Sequence, residues 1–127
     1  MDSRLRSLVR QRAGQRCEYC HIPDRDSELP FHVEHIVANV HQRNDYPSNL
    51  AWACPRCNAH KGTNLTTLDP DTGEKVDVFN PRTDAWSNHF RMVNYIIVGT
   101  SGIGRGTAAL LAMNKPLEIE NRREMMQ

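Results

Sequence analysis

Two Cys-x-x-C pairs, Cys17-Glu-Tyr-Cys20 and Cys54-Pro-Arg-Cys57, stand 33 residues apart, and the 127-residue chain has no other cysteine. Two residues between thiols let both sulfurs of a pair face one ion from a single tight turn. Two such turns complete the four-sulfur tetrahedron that Zn²⁺ favours. Two other readings compete. Disulfides would need an oxidising compartment, and the first thirty residues carry no apolar signal-peptide core. A redox Cys-x-x-C would need only one pair. A closed structural zinc site uses all four thiols and belongs to a reducing, cytoplasmic setting. In a chain this short it also offsets a thin core.

The stretch between the pairs holds the other residues able to do chemistry. His35 follows Glu34 directly, His32 lies two residues before that acid, Asn49 comes further on, and Asn58, His60 and Lys61 follow Cys57. If a metal pins the first pair against the second, the segment carrying Glu34-His35 folds back beside the segment carrying Asn58. Carboxylate, imidazole and carboxamide then converge. That set suits phosphodiester hydrolysis. Imidazole takes a proton from water near neutral pH. Carboxylate and amide oxygens are hard ligands that suit Mg²⁺ or Mn²⁺, and such an ion neutralises a scissile phosphate and its departing oxygen.

The elements that must position these groups can be read from pattern. Ser3–Ala13 reads as a helix capped by Asp2 or Ser3, with Leu5, Leu8 and Val9 on one side, ended by Gly14. Phe31–Ile36 reads as a strand with Phe31, Val33 and His35 on one face, so strict alternation must break near its end if Glu34 and His35 are to serve one site. Leu50–Cys54 is the return strand, and Pro55 opens a helix running to about Gly62. Beyond it come a turn at Asp69–Gly73, an extended Val76–Phe79, and a short helix over Asp84–Phe90. A strand over Arg91–Val98, a loop over Gly99–Gly106, and helices over Thr107–Met113 and Pro116–Glu124 complete the chain. The spacing of Gly102, Gly104 and Gly106 is not that of a nucleotide-binding fingerprint. The fold class is α+β, and length predicts a single domain over 1–127.

The order Glu34-His35, Asn49, then Cys54-Pro-Arg-Cys57-Asn58-Ala-His-Lys61-Gly62 resembles the HNH endonucleases with paired zinc cysteines. The resemblance implies a ββα-metal core over about 15–64, with the N-terminal helix before it and a strand-and-helix extension over 65–127. The tail, with Phe79-Asn-Pro-Arg82, Trp86 and His89-Phe90, is similar more loosely to an extension of small bacterial proteins described as HNH endonucleases. By the same resemblance His35 is the general base, Asn49 braces the loop and orients that base, and Asn58 binds the catalytic Mg²⁺ or Mn²⁺. Glu34 stands where an Asp is the usual second ligand, a departure that lengthens the reach by one methylene. Plainer roles stand beside these: Asn49 as a turn residue, Asn58 as a brace of the zinc turn, and Lys61 as a cation at a helix C-terminus.

Composition adds limits. Charged residues make up 24% and the net charge is +1, so bulk charge argues for no partner. Its distribution says more, since Arg4, Arg6, Arg10, Arg12 and Arg16 face only Asp2 in the first sixteen residues. Arg4, Arg6, Arg10 and Arg12, with His60 and Lys61, are the candidate contacts to a nucleic-acid backbone, non-specific and salt-sensitive. Trp52, Trp86, Phe90 and Tyr95 read as core rather than as stacking platforms. The longest apolar run, Ala108–Met113, is far short of the ~18 residues that cross a bilayer. The function expected is a metal-dependent endonuclease acting on DNA with weak sequence preference. A zinc-stapled module that grips nucleic acid without cutting is the rival, and a zinc-stabilised interaction domain a third possibility.

Overall fold

The structure, a computed structural model, describes residues 2–127. The chain divides into two compact units, one ending at Thr63 and the other spanning Asn64–Gln127. Their boundary falls at the end of the core expected over about 15–64.

In the first unit, α1 (Ser3–Arg12) starts where the Asp2 carboxylate accepts the Arg4 backbone N–H at 2.6 Å. Strands β1 (His32–His35) and β2 (Leu50–Ala53) form an antiparallel hairpin that pairs Glu34 with Ala51 and His35 with Leu50. All four residues of β2 are buried, because α1 and α2 (Pro55–Lys61) both pack on it. Helix α2 begins at Pro55, whose fixed φ suits the first turn, and ends at Gly62 with φ 52°. The turn carrying Cys17 and Cys20 is tied to β2 by reciprocal hydrogen bonds: Glu18 N–H to Trp52 O (2.9 Å), and Trp52 N–H to the Glu18 carboxylate (2.8 Å).

The arginines of α1 hold this unit together. The Arg6 guanidinium lies 4.7 Å from the Trp52 ring centre and donates to Phe31 O. Arg10 grips Asp24 through two hydrogen bonds of 2.7 and 3.0 Å, and Asp24 also accepts the Trp52 indole N–H. Arg12 donates to the carbonyls of Pro47 and Leu50, at the entrance of β2. Arg4 is exposed. Of the four arginines expected at a nucleic-acid surface, Arg6, Arg10 and Arg12 are therefore engaged within the fold. The pattern of cations along one helix could not reveal acceptors 14 to 38 residues away.

The second unit is built of two hairpins and two helices. Strands β3 (Thr66–Leu68) and β4 (Lys75–Asp77) flank the Asp69–Gly73 turn. Asp69 is buried there, accepting from Asp71 N–H, Thr72 Oγ1 and both arms of Arg105. The single strand expected over Arg91–Val98 is instead a hairpin of β5 (Phe90–Val93) and β6 (Ile96–Gly99). Asn94 and Tyr95 turn it with φ values of 49° and 64°, the paired positive φ of a tight hairpin. The expected short helix over Asp84–Phe90 is only one turn, Trp86–Asn88.

The loop expected over Gly99–Gly106 is largely helix: α3 runs Gly102–Leu110, capped by Ser101, whose hydroxyl accepts Gly104 N–H. Glycine weakens a helix in isolation, but a Cβ at Gly104 would stand 1.8 Å from His89 O, so contact selects it here. Helix α4 (Pro116–Met125) completes the chain and sends Arg122, buried, to Tyr95 O. The fold is α+β, four helices and three small sheets among the described residues. None of these helices is long and apolar enough to cross a membrane.

If Arg12 is a structural brace, Arg12→Met lowers stability by about 1–2 kcal/mol through loss of charged hydrogen bonds. Arg4→Met leaves it within about 0.5 kcal/mol. Urea unfolding monitored by the fluorescence of Trp52, in a Trp86→Phe background, checks the pair.

Candidate active site and metal centre

The sulfurs of Cys17, Cys20, Cys54 and Cys57 lie within 4.8 Å of one another, all four buried. A tetrahedral zinc site with Zn–S bonds of about 2.3 Å has S···S edges of about 3.8 Å, and Cys20 Sγ to Cys54 Sγ is 3.8 Å. Local backbone aims them: Cys17 N–H bonds Ile22 O, His21 N–H bonds Cys17 O, and Cys57 N–H points at Cys54 Sγ from 3.4 Å. Burial pushes the Cys17 thiol well above its ordinary value, so four thiolates in this spot require a cation. The cluster fits zinc. With four protein sulfurs it is a closed site, leaving no position for a reacting water.

Glu34 and His35 adjoin in sequence and part in space. The β1–β2 ladder runs unbroken through both, and successive residues of a strand present opposite faces. Glu34 is buried, with one carboxylate oxygen 2.5 Å from Lys61 Nζ and the other accepting the Tyr19 hydroxyl at 2.6 Å. Lys61, equally buried, also donates to Ile36 O. Burial raises the Glu34 pKa, against the pull of Lys61 and Tyr19. This corrects two expectations. One Glu34 oxygen is hydrogen-bonded to Tyr19, and the other lies against the Lys61 ammonium without a hydrogen bond, so the carboxylate is paired internally and is not an open ligand for Mg²⁺ or Mn²⁺. Lys61 is an internal counter-charge rather than a surface contact to phosphate. The strand alternation that had to break for Glu34 to join His35 does not break.

His35 ends β1, its side chain 19% exposed, with Nε2 2.8 Å from a carboxylate oxygen of Asp45. Asn49 sits where the chain enters β2. Its side-chain oxygen accepts Val37 N–H, and its amide N–H groups donate to the carbonyls of Val37 and Asn44. The backbone of Asn49 bonds Ile36 N–H. One buried carboxamide thus clips together both ends of the loop that leaves β1. Asn58 is half-buried on α2, and His60 is exposed. His32 is exposed at the start of β1, and His41 bonds Thr63 O.

Residues 17–64 match a family model described as HNH endonuclease. These residues are an HNH domain. The match includes all four cysteines, both strands of the first hairpin and α2, and it leaves out α1 and nearly all of the second unit. Over 117 residues the chain is 29% identical to the Septu protein PtuB of Bacillus thuringiensis, an alignment covering 87% of this chain. The chain spans 41% of the length of that relative. No solved structure matches it.

Two polar residues of the HNH domain escaped the sequence reading. Tyr19 lies between the first two cysteines and reads there as a spacer, yet its hydroxyl reaches Glu34. Asp45 sits in a polar loop ten residues from His35 with no periodicity linking them. The only signal was a carboxylate in a loop that starts and ends on the hairpin.

Removing Lys61 alone strands a buried carboxylate. Lys61→Met should therefore destabilise the HNH domain by about 3–5 kcal/mol, and adding Glu34→Gln should restore part of that loss. Urea denaturation of the two variants, compared by the midpoint at Trp52, checks the order.

Proposed function

We propose that this chain is a metal-dependent nuclease that hydrolyses phosphodiester bonds of DNA, with His35 as the general base. The observation carrying the reading is that His35, within the HNH domain, is partly exposed and hydrogen-bonded at a single ring nitrogen. The second nitrogen is left to take a proton from water. The oxygen of that water then bonds to phosphorus in line with the 3′ oxygen, the P–O3′ bond breaks, and the departing oxygen takes a proton from solvent. Products carry 5′-phosphate and 3′-hydroxyl ends.

The Asn58 amide oxygen is the donor we assign to a Mg²⁺ or Mn²⁺. When bound, such an ion neutralises charge on the phosphate and the leaving oxygen. Glu34 can add to that set only by giving up its Lys61 contact. Asn49 acts by holding the loop around His35, not by touching phosphate. Arg4 and His60 are the solvent-facing residues of the set expected to contact a nucleic-acid backbone, and such contacts confer little sequence preference.

The Glu34–Lys61 pair favours one rival, a module that binds nucleic acid without cutting it. The two readings separate on supercoiled plasmid incubated with zinc-loaded protein and Mg²⁺, Mn²⁺ or neither. A nuclease nicks or linearises the plasmid only with added metal, and His35→Ala reduces that by at least about 10²-fold while keeping the wild-type circular dichroism. Salt-dependent binding with no turnover on DNA or RNA would establish the binding module.

A further inference from the structure

We infer that Asp45 is a positioning residue for His35, fixing its ring so that Nε2 carries the proton and Nδ1 is the basic atom. The inference rests on the nuclease reading and adds a residue and an atom to it. A carboxylate only accepts hydrogen bonds, so a ring nitrogen 2.8 Å from Asp45 Oδ1 must bring the hydrogen. That places the proton of the neutral ring on Nε2 and the lone pair on Nδ1. When Nδ1 takes a proton from water, the ring becomes an imidazolium, and the charge of Asp45 lies against it at the opposite nitrogen. Glu34, its neighbour in sequence, is already paired with Lys61.

A second observation supports the placement. Asp45 is exposed on a loop, where a side chain would ordinarily sample many positions. Its neighbour Asn44 is held at its carbonyl by the Asn49 amide at 2.8 Å, and Asn49 N–H bonds the Tyr46 carbonyl at 2.8 Å. The residues on either side of Asp45 are thus anchored to the entrance of β2, whose first residue Leu50 pairs with His35. Asn49 therefore delivers Asp45 to His35. The buried amide, the exposed carboxylate and the imidazole form one ordered series.

The test uses the zinc-loaded 127-residue chain and two variants, Asp45→Ala and Asp45→Glu, each checked for unchanged circular dichroism. In plasmid cleavage, Asp45→Ala should lower kcat by about 10²-fold or more, with KM within about twofold. Asp45→Glu should recover part of the loss, which a merely structural role would not show. Nitrogen-15 spectra of the histidine rings should find His35 protonated at Nε2 in the wild type and exchanging between tautomers in Asp45→Ala. Wild-type kcat in Asp45→Ala, or a wild-type ring protonated at Nδ1, overturns the inference and leaves the nuclease reading standing. If the wild type cuts nothing, the nuclease reading falls, and the ring spectra alone decide whether Asp45 holds the tautomer.

Discussion

Two thiols from the turn after α1 and two from the start of α2 meet within 4.8 Å, and the arrangement of the HNH domain hangs from that meeting. The pairs are separated by 33 residues of chain containing one two-stranded hairpin and long polar loops. Closing such a loop costs entropy that two short strands return only in part. A metal that ties both pairs makes the closure part of its own binding free energy. Once it is closed, Glu18 can exchange hydrogen bonds with Trp52, Tyr19 can reach Glu34, and β2 can be buried on both faces.

From that junction two lines of polar contact run outward. One is buried and structural, Tyr19 to Glu34 to Lys61 to Ile36 O, joining the zinc turn, β1 and the last turn of α2. The other leads outward, from buried Asn49 through the loop to exposed Asp45 and partly exposed His35. Adjacent residues of one strand feed the two lines because a strand turns successive side chains to opposite faces. Glu34 is thereby tied at the strand end on which His35 stands.

Much of this was legible in the amino-acid sequence. The cysteine spacing points to a four-sulfur site, Pro55 and Gly62 bracket α2, and the Asp2-Ser3 pair marks the start of α1, with Asp2 the cap in the fold. What remained hidden depended on partners distant in sequence. The α1 arginines read as a solvated cationic face because nothing local shows that Asp24, Trp52, Pro47 and Leu50 would take them. Glu34 beside His35 read as a shared site because adjacency in sequence is visible and strand facing under an intact ladder is not. In the second unit, Asn94-Tyr95 lacks the glycine that usually announces a tight hairpin, and Gly104 sits in a helix because only a hydrogen fits against His89 O.

The central claim is that the metal at the four cysteines creates the platform on which His35 stands. Hydrogen–deuterium exchange, compared between zinc-loaded and zinc-stripped protein under reducing conditions, tests it most directly. The account predicts one zinc per chain and strong protection of the β1, β2 and α2 amides when it is bound. On removal that protection collapses across residues 17–62, while the hairpins and helices of the second unit keep theirs. Unchanged protection of β1 and β2 after complete zinc removal, or a purified chain that binds no zinc at all, would contradict it.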